Sequence, residues 1–159
     1  SELFDKEQVN VHNTLQEVIN DLHSPIVAHG INVKNEINPQ TVIEGNKTLV
    51  YAIFRNLIEN SINYAGDHIS IGVNNYMEDK EFYYFSYYDT GQGIEENHLN
   101  RIFERFYRVC EGRSRQNGGS GLGLSIVKNA VLFHKGDISA KNRKDGGLEF
   151  LFSLKKTLF

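Results

Sequence analysis

The 159-residue chain contains one cysteine, Cys110, and two prolines. A lone thiol excludes an internal disulfide framework and a thiolate zinc site, and it fits a reducing compartment. Cationic excess is also missing. The 17 Lys and Arg against 20 Asp and Glu leave a net charge of −3, which argues against a nucleic-acid-binding face. No apolar run approaches the roughly 18 residues of a membrane span, and the first residues lack the basic and then apolar pattern of a signal peptide. The chain is therefore expected to be soluble as given, with any anchor of a parent protein outside it. With apolar residues at 40% and charged residues at 23%, the composition is that of a globular domain, and the length suits one domain with its own core.

Residues 1–10 are polar and read as a linker. Apolar residues Val11, Leu15, Val18, Ile19, Leu22 and Ile26 recur at three and four, which predicts one amphipathic helix from Val11 to Ala28, ended by Gly30. Alternation over Ile31–Ile37 predicts a strand, followed by a second short one at Thr41–Glu44. Lys47–Ala65 is the strongest helical pattern. It places Val50, Tyr51, Phe54, Leu57, Ile58, Ser61, Ile62 and Ala65 on one side and Asn56, Glu59, Asn60 and Asn63 on the other. Strands at His68–Tyr76 and Phe82–Tyr88 read as a hairpin, as do Asp137–Asn142 and Leu148–Leu154, with a helix at Leu122–His134 between the two pairs. Hairpins alternating with helices predict a two-layer α/β sandwich, its sheet mixed but mostly antiparallel, with about three helices on one face.

Three segments carry chemistry. Asparagine costs about 0.6 kcal/mol relative to Ala in a helix, and ordinary solvated faces use Glu, Lys and Arg instead. Yet Asn56, Asn60 and Asn63 share an arc of about 60°. Their amide oxygens are hard, neutral ligands of the kind Mg²⁺ accepts, and they add no negative charge beside a triphosphate. Asp89 follows a strand directly, and Gly91 and Gly93 come after it. A carboxylate there suits an exocyclic amine, and the glycines let a flat ring approach the backbone, although a plain strand-to-loop turn would use the same residues. Gly118–Gly123 holds four glycines in six positions and leads into a helix, an arrangement that turns backbone N–H groups and a helix dipole toward an anion. Leu124 stands where a third dinucleotide-motif glycine belongs, and no Gly-Lys-Ser/Thr follows, so neither a dinucleotide fingerprint nor a P-loop is present. Five of the seven arginines (Arg101, Arg105, Arg108, Arg113, Arg115) fall within fifteen residues between the two glycine segments, where an anionic partner would be met.

Taken together, these segments resemble the catalytic, ATP-binding domain of sensor histidine kinases, within the Bergerat fold shared with gyrase, chaperone and mismatch-repair ATPases. The resemblance runs from about Val9 to the last strand. Asn56–Ala65 is similar to the family's N box, Asp89–Ile94 to its first glycine box, Arg101–Arg108 to its F box and Gly119–Lys128 to its second glycine box.

The resemblance implies the following roles. Asn60 would ligate Mg²⁺ with Asn56 beside it, and Asn63 would lie on the same face. Tyr64 would lie against the adenine, and Asp89 would bind its amine. Gly91, Gly93 and Ile94 would shape the base pocket. Arg105 and Arg108 would reach the phosphates from a lid spanning about residues 95–120. Gly119, Gly121, Leu122, Gly123 and Leu124 would cradle phosphate. The implied reaction passes the γ-phosphoryl group of Mg-ATP to a histidine on a separate dimerisation domain, for relay to a response-regulator aspartate. The implied setting is the cytoplasmic portion of a membrane-anchored bacterial sensor, monomeric as this fragment and homodimeric as the parent, with residues 1–10 leading in from the dimerisation domain.

Two departures stand out. Asn63 occupies a position where the family often has Lys. No histidine of the chain (His12, His23, His29, His68, His98, His134) has the acidic neighbour and Arg-Thr-Pro context of the phosphoacceptor, so ordinary surface or packing roles are expected for all six. The competing function is an ATP-hydrolysing switch or a degenerate nucleotide-sensing module of the same fold. The hydrolysing relatives place Glu four residues before the Mg²⁺-binding Asn. Here that position is Asn56, an amide that cannot take a proton from water.

Overall fold

The computed structural model describes residues 6–109 and 121–158. Its elements, in chain order, are β1 (Glu7–Asn10), α1 (Val11–Asp21), α2 (His23–Ala28), β2 (Asn32–Glu36), β3 (Val42–Gly45), α3 (Lys47–Tyr64), β4 (Ser70–Glu78), β5 (Phe82–Asp89), a 3-10 turn (Glu96–His98), α4 (Gly123–Phe133), β6 (Ile138–Asn142) and β7 (Leu148–Lys155). Five strands form one sheet in the order β2-β4-β5-β7-β6. Only β2 and β4 run parallel; β4–β5, β5–β7 and β6–β7 are antiparallel. The expected mixed, mostly antiparallel sheet with helices on one face is the observed architecture.

Alternation along the strands sets the layers. Phe85 and Tyr87 of β5, Phe150, Phe152 and Leu154 of β7, and Ile71 and Val73 of β4 are buried against Val50, Ile53, Phe54, Leu57 and Ile58 of α3 and Val127, Ala130 and Val131 of α4. Phe85 stacks on Phe152 with ring centroids 5.2 Å apart, and Phe54 meets the same ring edge-on at 6.1 Å. The core is thus continuous from the middle of the sheet to the helix pair that carries the asparagine and glycine segments.

The predicted Val11–Ala28 helix is two helices. Pro25 has no N–H to give the Asp21 carbonyl and its ring would strike that carbonyl. The chain leaves helical geometry at Leu22 (φ −99°, ψ 17°), and Pro25 falls in the first turn of a new helix, where its missing donor costs nothing. The polar start also contributes structure. Glu7–Asn10 pairs antiparallel with β3 as a separate two-stranded sheet, and Val9 is buried. β3 therefore stands apart from the main sheet.

Both long helices on the N-terminal side carry side-chain caps. Asn10 Oδ1 accepts from Asn13 N at 2.9 Å, and Asn46 Oδ1 accepts from Leu49 N at 2.9 Å. Asn46 also donates its own N–H to Nε2 of His134 at 3.0 Å, while His134 Nδ1 lies 2.8 Å from Ala130 O. A backbone N–H can only donate, so Nε2 is bare and Nδ1 carries the proton. This fully buried neutral imidazole pins the end of α4 to the start of α3. Burial lowers its pKa below the ordinary histidine value, against an opposing push from the Ala130 bond.

Candidate nucleotide-binding site

The end of β5 places Asp89 beneath the C-terminal half of α3. Its side chain is 3% exposed and almost fully engaged. Oδ1 accepts from Gly91 N at 3.0 Å and from Leu148 N at 3.3 Å, and Oδ2 accepts from Ser61 Oγ at 2.9 Å. A carboxylate offers about four acceptor sites, so three protein donors leave one on Oδ2 for a donor from outside the chain. Behind Ser61, the Tyr87 hydroxyl lies 2.7 Å from Ser61 Oγ and 3.0 Å from Leu57 O. Complete burial pushes the Tyr87 phenol well above its ordinary pKa.

Backbone packs tightly around this carboxylate. A Cβ on Gly91 would sit 2.5 Å from the Ala65 carbonyl oxygen, so the first glycine segment lies directly against the end of α3. Gly147, in the β6–β7 turn, has φ +97°, and a Cβ there would come within 1.9 Å of Asp89 O. Only glycine permits that approach. Asn142 brackets Ile94, its Oδ1 accepting from Ile94 N at 3.0 Å and its Nδ2 donating to Ile94 O at 2.6 Å. Gln92 Nε2 donates to Tyr64 O at 2.9 Å, tying the glycine segment to the last turn of α3. Asp89, Gly91, Gly93, Ile94 and Tyr64 therefore lie together at the C-terminal end of α3.

Two turns back along α3 is the second half of the site. Asn56 donates Nδ2 to Ala52 O at 2.8 Å, which leaves its Oδ1 facing away from the helix backbone. A Cβ on Gly123, the first residue of α4, would be 3.2 Å from that oxygen. Unlike α1 and α3, α4 begins without a side-chain cap hydrogen bond. Its first-turn N–H groups and positive dipole end thus stand beside the asparagine face, with Asn60 half-buried one turn further along α3. Gly121 (φ +80°), Leu122, Gly123 and Leu124 are all half-buried there; Gly119 lies outside the described residues.

The segment after Ile94 is attached to both halves. Phe106 N donates to Gly121 O at 2.7 Å, Phe103 packs edge-on to core residue Phe150 at 6.0 Å, and Lys128 of α4 reaches over the Phe103 ring at 5.9 Å. Arg105 lies over its neighbour Phe106 at 5.3 Å, next to the Gly121 bond. Among the described residues, no hydrogen bond, ion pair or ring contact joins Arg105 or Arg108 to Asp89 or Asn60; Arg113 and Arg115 lie outside them. Arg105 thus lies near Gly121, and the base end of the site is built from other residues.

Sequence reasoning missed Ser61, Tyr87, Asn142 and Gly147. Ser61 and Tyr87 sit on core-facing positions of α3 and β5, where a polar group among Leu57, Ile58 and Phe85 is a signal in itself. Asn142 and Gly147 act from about 50 residues downstream, and nothing local marks them.

A carboxylate with one acceptor site open, backed by glycines that bare the backbone, and a glycine-bearing helix start across the same helix define a nucleotide-binding α/β sandwich. Comparison with known proteins agrees: residues 45–158 match the family described as histidine kinase-, DNA gyrase B-, and HSP90-like ATPase, and the chain belongs to that family. Among its relatives, the sensor histidine kinase WalK of Bacillus subtilis is 32% identical over 155 residues, which is 95% of this chain and 25% of WalK. The catalytic domain of histidine kinase ThkA superposes with a TM-score of 0.83 at 25% identity, covering 96% of this chain and 97% of that one. ThkA in complex with response regulator protein TrrA gives 0.78 at 24% identity, covering 97% of this chain and 42% of that chain. The chain spans about a quarter to a third of the length of the curated relatives it matches.

Proposed function

We propose that this chain is the phosphoryl-donor half of a sensor histidine kinase. It binds Mg-ATP and passes the γ-phosphoryl group to a histidine on a separate dimerisation domain, from which it is relayed to a response-regulator aspartate. The observation that carries the binding is the open acceptor site on Asp89, which faces the 6-amino group of adenine. Gly91, Gly93, Ile94 and Tyr64 surround the base. The phosphates run along the asparagine face toward the first turn of α4, at Gly121, Leu122, Gly123 and Leu124, with Arg105 and Arg108 approaching from the segment before it. Gly119 and the rest of the lid to residue 120, outside the described residues, are assigned to phosphate by the family resemblance alone.

Asn60, Asn56 and Asn63 suit a metal that arrives with the nucleotide. No group of three or more His, Cys, Asp and Glu capable of holding an ion exists among the described residues. Mg²⁺ typically takes only one or two protein ligands and completes its shell with phosphate oxygens and water. Asn60 would be the principal ligand, and the ion supplies charge neutralisation to the leaving group.

Transfer is favoured over hydrolysis by Asn56. Its amide nitrogen is committed to Ala52 O and its oxygen cannot take a proton from water. A neutral imidazole needs no such base, because its ring nitrogen already has a lone pair to form the N–P bond as the bond to the ADP oxygen breaks. The chain's task is alignment and charge. No described helix is long and apolar enough to cross a membrane. We place the chain in the ATP-containing cytoplasm, as part of a membrane-anchored sensor that dimerises through a separate domain, with residues 1–10 leading in from it.

Calorimetric titration with ATP, with and without Mg²⁺, tests the binding. Saturable 1:1 binding strengthened by Mg²⁺ is expected, and no binding at millimolar ATP would refute it.

A further inference from the structure

We infer that Tyr87 and Ser61 form a one-way hydrogen-bond relay that holds Asp89 as a pure acceptor and thereby selects bases with an exocyclic amine over bases with a keto oxygen. The inference rests on the reading of Asp89 as the adenine contact, and it adds two residues behind it.

The direction of the relay follows from counting protons. The Asp89 carboxylate only accepts, so the 2.9 Å contact from Ser61 uses the single serine proton. Ser61 Oγ is then an acceptor in its 2.7 Å contact with Tyr87, and the phenol must donate. Leu57 O, at 3.0 Å, shares that same phenol proton from a longer distance. Tyr87 is fully buried and Ser61 is 1% exposed, so water does not offer either group another partner. The phenol ring is fixed by the Phe150 edge contact at 6.1 Å, and Ser61 by its place inside α3.

This arrangement commits the Ser61 proton to Asp89 Oδ2. A 6-keto purine would set its oxygen against the last open acceptor of Asp89, two lone pairs facing each other. Ser61 is the side chain whose proton could turn to relieve that clash, and Tyr87 holds it in the opposite sense. The geometry also explains why two polar side chains occupy core-facing positions of α3 and β5.

The test measures affinities for ATP and inosine triphosphate, which differ in the 6-amine against a 6-keto oxygen and in a bare N1 against N1–H, for the full 159-residue chain and its variants, with melting temperatures as the folding control. Ser61→Ala is expected to weaken ATP several-fold, because the Asp89 carboxylate is no longer held in its acceptor orientation, while leaving inosine triphosphate near its original affinity. Ser61→Thr keeps a hydroxyl and restores the preference. Tyr87→Phe narrows it, and adds nothing further on the Ser61→Ala background. A Ser61→Ala protein that weakens both nucleotides equally, or keeps the original ratio, overturns the relay. Asp89→Asn separates the two levels. If it collapses the ratio and Ser61→Ala does not, the relay alone is wrong; if Asp89→Asn leaves the ratio intact, the adenine contact fails and takes the relay with it.

Discussion

The side-chain oxygen of Asn56 stands so close to Gly123 that a single added methyl group would lie 3.2 Å from it. Two segments 67 positions apart in the numbering thus meet where the asparagine face of α3 ends at the start of α4. Gly123→Ala separates space from stability at this point. Alanine is the better helix former, so the melting temperature should hold or rise slightly. ATP affinity should nevertheless fall several-fold, because the methyl group occupies the gap between amide and helix start. Equal ATP affinity would mean that the gap is not used by phosphate or metal.

Gly147→Ala is expected to act oppositely, through the fold itself. The added carbon would overlap Asp89 O at 1.9 Å, on a backbone at φ +97°. Overpacking and strain together should cost about 2–4 kcal/mol, read as a lowered denaturation midpoint, and ATP binding should be lost in the fraction that remains folded.

These two glycines show what was readable in the chain. Gly123 sits in a cluster of glycines preceding an apolar helix pattern, so its role is visible locally. Gly147 is one of several turn glycines, and only the antiparallel pairing of β5 with β7 brings it against Asp89. The same holds for Ser61 and Tyr87, which local pattern marks as core positions and which tertiary packing turns into a buried polar chain. Pro25 was a visible break signal inside Val11–Ala28, outweighed there by the apolar periodicity around it. Glu7–Asn10 could not be seen as a strand, since one apolar residue, Val9, gives no alternation to read.

Removing the proposed metal ligand should uncouple metal from nucleotide. Asn60→Ala is expected to leave weak ATP binding that no longer responds to Mg²⁺ in calorimetric titrations. A Mg²⁺ dependence that persists unchanged would move the ion to other oxygens.

Stability should fall on mild acidification because of His134. Its pKa is lowered in the folded chain by burial, so the unfolded state takes up the proton first. The stabilisation is complete above the unfolded value of about 6.5 and is lost as pH drops below it toward the folded value. Protonation at Nε2 would also break the bond from Asn46 N. His134→Leu should be less stable than the parent at pH 8, with the difference shrinking between pH 6.5 and 5 in urea denaturation. A difference constant across that range would show that His134 is not the titrating group.

The most direct test of the donor role is transfer of phosphate from γ-labelled Mg-ATP by this chain to a separately supplied dimerisation domain from its parent protein. The expected result is acid-labile, base-stable label on a histidine of that domain, with negligible phosphate release when the chain is incubated alone. Steady release of free phosphate by the isolated chain, with no label on the added domain, would contradict it and identify a hydrolase.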